Sequence, residues 1–431
     1  MKVLWVSNAP WSHSGYGNQT RQVGLRLAAA GHEVEFSAND GTRGDVTWKG
    51  MLVRGCGADR YSRDTVREDL ERSGADWAIA LYDAWVYTDR MADPFAGLSN
   101  VAGWVPVDHY PCPPMLIPWL RNHVAIAMSR YGFDRLSEAS DMLRAQEGKR
   151  FPVRYAPHAV EPIFHPTDAG DLFGGPTFRQ TIGVPDDAYL VGIVAANTGT
   201  AVYDRKGFGD MIAAASVFLS QRPDAYLYLH TLQLGHEAIP LMVLLNTKGI
   251  DQARVRWADQ YLLKKSAISD PQMAAIYTSF DVLLATSRGE GFGLPVLEAQ
   301  ACGTPVIASN WTAQTELVAD HAWDPQRMGP EKHPSGWLVD VDPDYDARQA
   351  ADFGKPRIGG IISALEDAYG HRGDQVMRAA AIDKASGWAA DAVFDAYWRP
   401  LLADMAGGLG KPPVNLAIRP KKGKRRAAVG A

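Results

Sequence analysis

Between Ser287 and Asn310 the chain reads SRGEGFGLPVLEAQACGTPVIASN, and no other segment gathers as many groups able to do chemistry. It leaves a strand-like run, passes Gly291 and Gly293, and enters a helix with Pro295 in its first turn, where a missing N–H costs nothing. The amides of Gly291, Phe292, Gly293 and Leu294 lack helical acceptors at such a turn, and the helix dipole behind them favours an anion, which a phosphate would satisfy. Glu290 and Glu298 flank the turn with seven residues between them. Two carboxylates repel an anion, so their presence makes sense where they accept hydrogen bonds from sugar hydroxyls while the amides hold phosphates. In NTGTAVYDRKGF, from Asn197 to Phe208, Arg205 and Lys206 stand at a strand-to-helix transition. There they can clamp a diphosphate, the arginine through its planar fork and the lysine as a point charge. Two more strand ends carry candidates. HSGYGNQ supplies Gly15 and Gly17, small residues in a loop that let backbone approach a phosphate or an acceptor, and VPVDHYPCPP supplies Asp108 and His109.

The elements around these residues set their placement. KVLWVS is a short apolar strand, Gln19 to Ala30 has helical spacing closed by Gly31, and Glu33 to Ser37 reads as a second strand. Strand-like runs at Trp77 to Tyr82, Val101 to Val107, Val124 to Ser129 and Val153 to Ala156 alternate with helical segments, which implies a parallel sheet covered on both faces. The pattern breaks between Pro157 and Pro185, where the chain crosses to a second alternation running from Tyr189 to Ala308. The expectation is an α/β protein of two Rossmann-like domains, residues 1–165 and 166–385. A helix over 386–406 then packs back toward the first domain, and a basic, mobile tail over 407–431 ends the chain.

Composition narrows the class. With 431 residues, 46% hydrophobic and 22% charged, the chain is too long for one core and too apolar for disorder. No run of 18 apolar residues occurs and the N-terminus turns polar quickly, so the chain is expected to be cytoplasmic. Cys56, Cys112 and Cys302 are scattered, which argues for three reduced thiols and against a zinc site. Residues 411–431 hold seven Lys and Arg and no acid. The rest carries 37 basic against 49 acidic residues, so only the tail suits a polyanion such as a membrane surface, DNA or an acidic protein.

The Glu290 to Ile307 block resembles the signature of retaining, GT-B-fold glycosyltransferases, the family 4-like group (glycosyl transferases group 1) that includes sucrose synthase and bacterial mannosyltransferases. That resemblance implies two Rossmann-like domains facing across a cleft and a nucleoside diphosphate sugar as donor, with an acceptor hydroxyl from a protein, modified DNA, a lipid, a polysaccharide or a metabolite. It implies that Glu298 holds ribose hydroxyls and Glu290 touches the transferred sugar. Gly291, Phe292, Gly293 and Leu294 would bind the distal phosphate or sugar, and Arg205 with Lys206 would neutralise the leaving diphosphate. Asp108 and His109 fall where many members contact the transferred sugar, and Gly15 and Gly17 fall in the family's glycine-rich loop. Asn197 stands where many members carry another arginine. Cationic side chains make an obligatory metal unnecessary, and no cofactor is implied. A GT-B-fold sugar-nucleotide epimerase, and a non-catalytic protein binding sugar nucleotides or nucleic acid, are the competing readings. The opening SNAPWSHSGYGNQT is similar to bacteriophage-borne versions of the family.

Overall fold

The computed structural model describes residues 1–40, 42–83, 85–86, 93–167, 170–319 and 334–409. The basic tail beyond Leu409 lies outside them.

The first sheet has eight strands: β1 (Lys2–Ser7), β2 (Glu33–Ala38), β3 (Val46–Trp48), β4 (Met51–Arg54), β5 (Trp77–Ala80), β6 (Val101–Val105), β7 (Val124–Ala127) and β8 (Val153–Tyr155). Their order is β3-β4-β2-β1-β5-β6-β7-β8, parallel except for β3 against β4. The central strands are apolar on both faces, as a doubly covered parallel sheet requires. Helices α1 (Gly15–Ala29), α2 (Val66–Ser73) and α3 (Arg130–Glu147) cross between strands. The first helix starts earlier than its apolar spacing suggests. Ser14 is extended, and its hydroxyl accepts the Gly17 N–H at 3.0 Å, so Gly15 and Gly17 form the opening turn of α1 instead of a loop.

The second sheet, in the order β11-β10-β9-β12-β13-β14, is all parallel. It comprises β9 (Tyr189–Val194), β10 (Ala225–His230), β11 (Val255–Trp257), β12 (Val282–Ala285), β13 (Val306–Ser309) and β14 (Gly336–Val339). Around it lie α4 (Phe208–Gln221), α5 (Asp270–Thr278), α6 (Leu294–Ala301), α7 (Ile358–Gly370) and α8 (Gln375–Ser386). An antiparallel hairpin, β15 (Val341–Asp346) with β16 (Ala351–Pro356), reaches the first domain, where Asp352 and Tyr110 exchange backbone hydrogen bonds at 2.7 and 3.0 Å.

The chain crosses between domains twice, and Val160 on the first crossing bridges Ala389 on the second. After the second crossing, Trp398 and α9 (Arg399–Ala406) lie on the first sheet. Trp398 stands 5.6 Å from Trp5 and 4.8 Å from Trp104, and Arg154 reaches Asp404 at 3.0 Å. Truncating a fully buried indole in such a cluster leaves a large void, so Trp398→Ala is expected to destabilise the protein by about 3–5 kcal/mol in urea unfolding. Among the described residues no helix is long and apolar enough to cross a membrane.

Candidate active site

A cavity of about 690 Å³ opens between the two domains, at the ends where β1, β5 and β6 on one side and β9, β10 and β12 on the other run out. Crevices outside the carboxyl ends of parallel strands are the usual ligand sites of open α/β sheets.

On the second domain the turn from β12 into α6 forms one wall. Gly293 caps α6 with φ of 109°, in the left-handed region where a side chain is strained. The amides of Gly291, Phe292, Gly293 and Leu294 donate to no acceptor among the described residues, which leaves a run of unpaired N–H groups at the start of α6. Glu298 lies one turn into α6, and its Oε2 accepts the Tyr277 hydroxyl at 2.8 Å. Burial pushes this carboxyl up to about 7; the Tyr277 hydrogen bond only partly opposes the shift.

The adjoining wall carries the cations. Lys206 Nζ sits 2.6 Å from Glu290 Oε1, while Arg205 donates to the Gly289 carbonyl at 2.8 Å and stands 3.5 Å from Glu290 and 3.4 Å from Asp108 of the first domain. Burial drives Glu290 upward, yet Lys206 and Arg205 together hold it below the ordinary carboxylate range. Burial and then the Arg205 charge lower Lys206, with Glu290 opposing them. The loop is braced from behind. Asp204 accepts the Phe208 and Gly209 amides at 3.0 and 2.7 Å, the Tyr203 hydroxyl donates to Asp344 of β15 at 2.8 Å, and Arg288 joins Asp344 to Asp210 at 2.9 and 2.7 Å. Asn197 is buried as a bracket: its amide donates to the Leu232 and Ile239 carbonyls, both at 2.9 Å, so it faces the scaffold.

Of the residues singled out from sequence, Gly15, Asp108, Arg205, Lys206, Glu290, Gly291, Phe292, Gly293, Leu294 and Glu298 line this one cavity. Two do not. His109 is buried beside the cleft, with Nδ1 2.8 Å from the Pro111 carbonyl and its ring 5.2 Å from Phe353 of the hairpin, so it is a strut between the domains and not a cleft group. Gly17 is inside α1, where a Cβ would lie 2.2 Å from the Ser12 carbonyl oxygen; its role is to let the helix seat. Glu316 caps a helix of the other domain by accepting the Arg130 N–H of α3 at 2.8 Å.

Among the lining residues that the sequence does not single out are Tyr16, Asp83, His158 and Tyr277. Tyr16 donates to Asp83 at 2.5 Å. His158 lies 4.4 Å from Trp104 and 5.4 Å from Phe292, and burial pushes it down to about 3, which keeps it neutral. Position at a strand end was the available signal for Asp83. Among the described residues no group of three or more His, Cys, Asp and Glu is placed to hold a metal ion.

Two Rossmann-like domains that meet over such a cleft make this a GT-B fold. The structure of sucrose-phosphate synthase from Thermosynechococcus elongatus superposes with a TM-score of 0.65 at 15% identity, covering 93% of this chain and 99% of that one. The E. coli trehalose-6-phosphate structure bound with UDP-2-fluoro glucose gives 0.63 at 13% identity, over 94% and 99%. Residues 196–348, which carry both cations and both glutamates, match the family described as Glycosyl transferases group 1. The D-inositol 3-phosphate glycosyltransferase of Arthrobacter sp. (strain FB24) is 29% identical over 215 residues, which are 49% of this chain and 42% of that protein. The protein of the same description from Thermobispora bispora is 29% identical over 322 residues, 67% of this chain and 72% of the relative.

Proposed function

We propose that the protein moves a sugar from a nucleoside diphosphate donor to an acceptor hydroxyl with retention of anomeric configuration. The observation that carries this reading is the meeting of Arg205, Lys206 and the free amides of Gly291 to Leu294 around one cavity, which gives a diphosphate both mobile-charge and dipole partners. In this reading Glu298 accepts hydrogen bonds from the ribose and Glu290 from the transferred sugar. Asp108 approaches the sugar from the first domain, beside the site of the acceptor. As the glycosidic bond breaks, positive charge builds on the sugar ring and negative charge on the departing diphosphate. Arg205, Lys206 and the α6 amides stabilise the latter in a site from which water is largely displaced. Attack comes from the face the diphosphate leaves, with a phosphate oxygen taking the acceptor proton, so no protein nucleophile is needed. The paired state of Glu290 with Lys206 fits a binding role for that carboxylate.

Release of nucleoside diphosphate from a panel of radiolabelled sugar nucleotides, with and without acceptors, tests the reading. An altered sugar nucleotide released with no acceptor would overturn it in favour of epimerisation. Turnover is expected to survive excess EDTA, because side chains and a helix terminus supply the positive charge that a divalent ion supplies elsewhere. Activity lost in EDTA and restored by Mg²⁺ or Mn²⁺ would show that these cations are insufficient.

A further inference from the structure

The first domain's share of the cavity has a charge pattern that bears on the acceptor. It contributes two carboxylates, Asp83 and Asp108, together with His13, Ser14, Tyr16, Asn18 and the buried, neutral His158, and no Lys or Arg among the described residues. Among the described residues the Lys and Arg lining the cavity are Arg205 and Lys206; both already face Glu290, and Arg205 stands 3.4 Å from Asp108 as well. A bound diphosphate takes up those two cations, so a second phosphate in the cleft would find the Asp83 and Asp108 carboxylates with no cation of its own. A carboxylate fixed by one hydroxyl, as Asp83 is by Tyr16 at 2.5 Å, keeps further lone pairs for hydroxyl donors.

A second observation comes from the rim. Trp11, Trp85 and Tyr110 follow β1, β5 and β6, three neighbouring strands whose ends face the cleft; they lie outside the cavity lining itself and are 37%, 46% and 46% exposed. Trp85 stands edge-on to Tyr61 at 5.1 Å. Flat apolar rings beside acceptor-only carboxylates are the complement of a sugar, which presents C–H faces and hydroxyl edges.

We propose that the acceptor is an uncharged saccharide, held through its hydroxyls by Asp83 and Tyr16 and by its ring faces on the aromatic rim, and that this cleft discriminates against phosphorylated acceptors. The proposal rests on the transfer reading above and sets the chain apart from relatives described as acting on D-inositol 3-phosphate.

Calorimetry on the full chain saturated with UDP or GDP, whichever the donor screen identifies, tests it with matched probes: maltose, glucose against glucose 6-phosphate, and myo-inositol against inositol 3-phosphate. The neutral member of each pair should bind at least about tenfold more tightly than its phosphate ester. Asp83→Asn should weaken the neutral sugars about tenfold, and Asp83→Arg should reverse the preference within a pair. Should Asp83 variants not fold, Tyr16→Phe keeps the ring and removes the hydroxyl, and it should weaken the same sugars. Tighter binding of the phosphate esters, no binding of any neutral sugar, or full affinity in both Asp83→Asn and Tyr16→Phe would overturn the proposal. Binding is read without turnover, so a donor screen in which no sugar nucleotide is cleaved fails the transfer reading separately.

Discussion

Lys206→Ala is expected to lower kcat by about 10²–10³-fold while leaving the fold intact, because the lost charge acts where negative charge develops as the donor breaks. Lys206 Nζ lies 2.6 Å from Glu290 in a partly buried site, so its removal has two effects. The diphosphate loses a point charge. Of its two cations Glu290 keeps Arg205, at 3.5 Å, and that guanidinium is shared with Gly289 and Asp108. Lys206→Arg should rescue little, since a planar fork does not fit a site built around one close ammonium contact. Glu290→Ala is expected to act on turnover as well, with a smaller effect on donor affinity, because it removes a partner of the transferred sugar and frees Lys206. Steady-state kinetics with the correct donor decide the matter. A kcat for Lys206→Ala within about threefold of the parent would remove the role assigned to the lysine.

Glu298 should split affinity from stability. Glu298→Ala is expected to raise the donor KM or Kd by about 10–100-fold with little change in kcat, since ribose contacts are made equally in ground and transition states. Burial holds the carboxyl at about 7 in the free protein, above its ordinary value of 4.5. The folded state therefore binds more protons than the unfolded state between those values. Stability contributed by the protonated form is fully present below about 4.5 and falls as pH rises through 7. Glu298→Gln removes that penalty and should stabilise the unliganded protein at pH 8 by about 1–2 kcal/mol over the parent, and by little at pH 4 to 5. Donor affinity of the parent should rise as pH passes through about 7, because the ionised carboxylate is the stronger acceptor for hydroxyls; Glu298→Gln should lose this rise. Urea unfolding and calorimetry at two pH values check both arms. A flat affinity profile in the parent would show that Glu298 does not touch the donor.

The donor wall was legible because its chemistry is local. Glu290, Gly291 to Leu294, Pro295 and Glu298 belong to one strand-turn-helix, and local sequence fixes their mutual placement. Arg205 and Lys206 were legible for the same reason, at the turn into α4. What escaped depends on contacts far apart in sequence. Asp83 gains meaning only when Tyr16 of α1 reaches it, and His158 only when Phe292 comes across the cleft. His109 was misplaced because its neighbour Phe353 lies on a hairpin whose VDPDYD strand, interrupted by proline and rich in acids, shows no apolar alternation. The early start of α1 was hidden by Gly15 and Gly17, poor helix formers that the Ser14 cap carries into the helix.

Gly289 and Gly291 meet the first domain where a side chain would not fit. A Cβ on Gly289 would lie 1.9 Å from the Asp108 carbonyl oxygen, and one on Gly291 would lie 2.5 Å from Cβ of Pro106. Each missing methyl is thus clearance in a joint, and the two together set how far the halves can shut. Alanine at either position acts as a wedge. It is expected to leave each domain's own core untouched and to hold the jaws apart at that point, which turns the closing distance of this cleft into a quantity adjustable one methyl at a time.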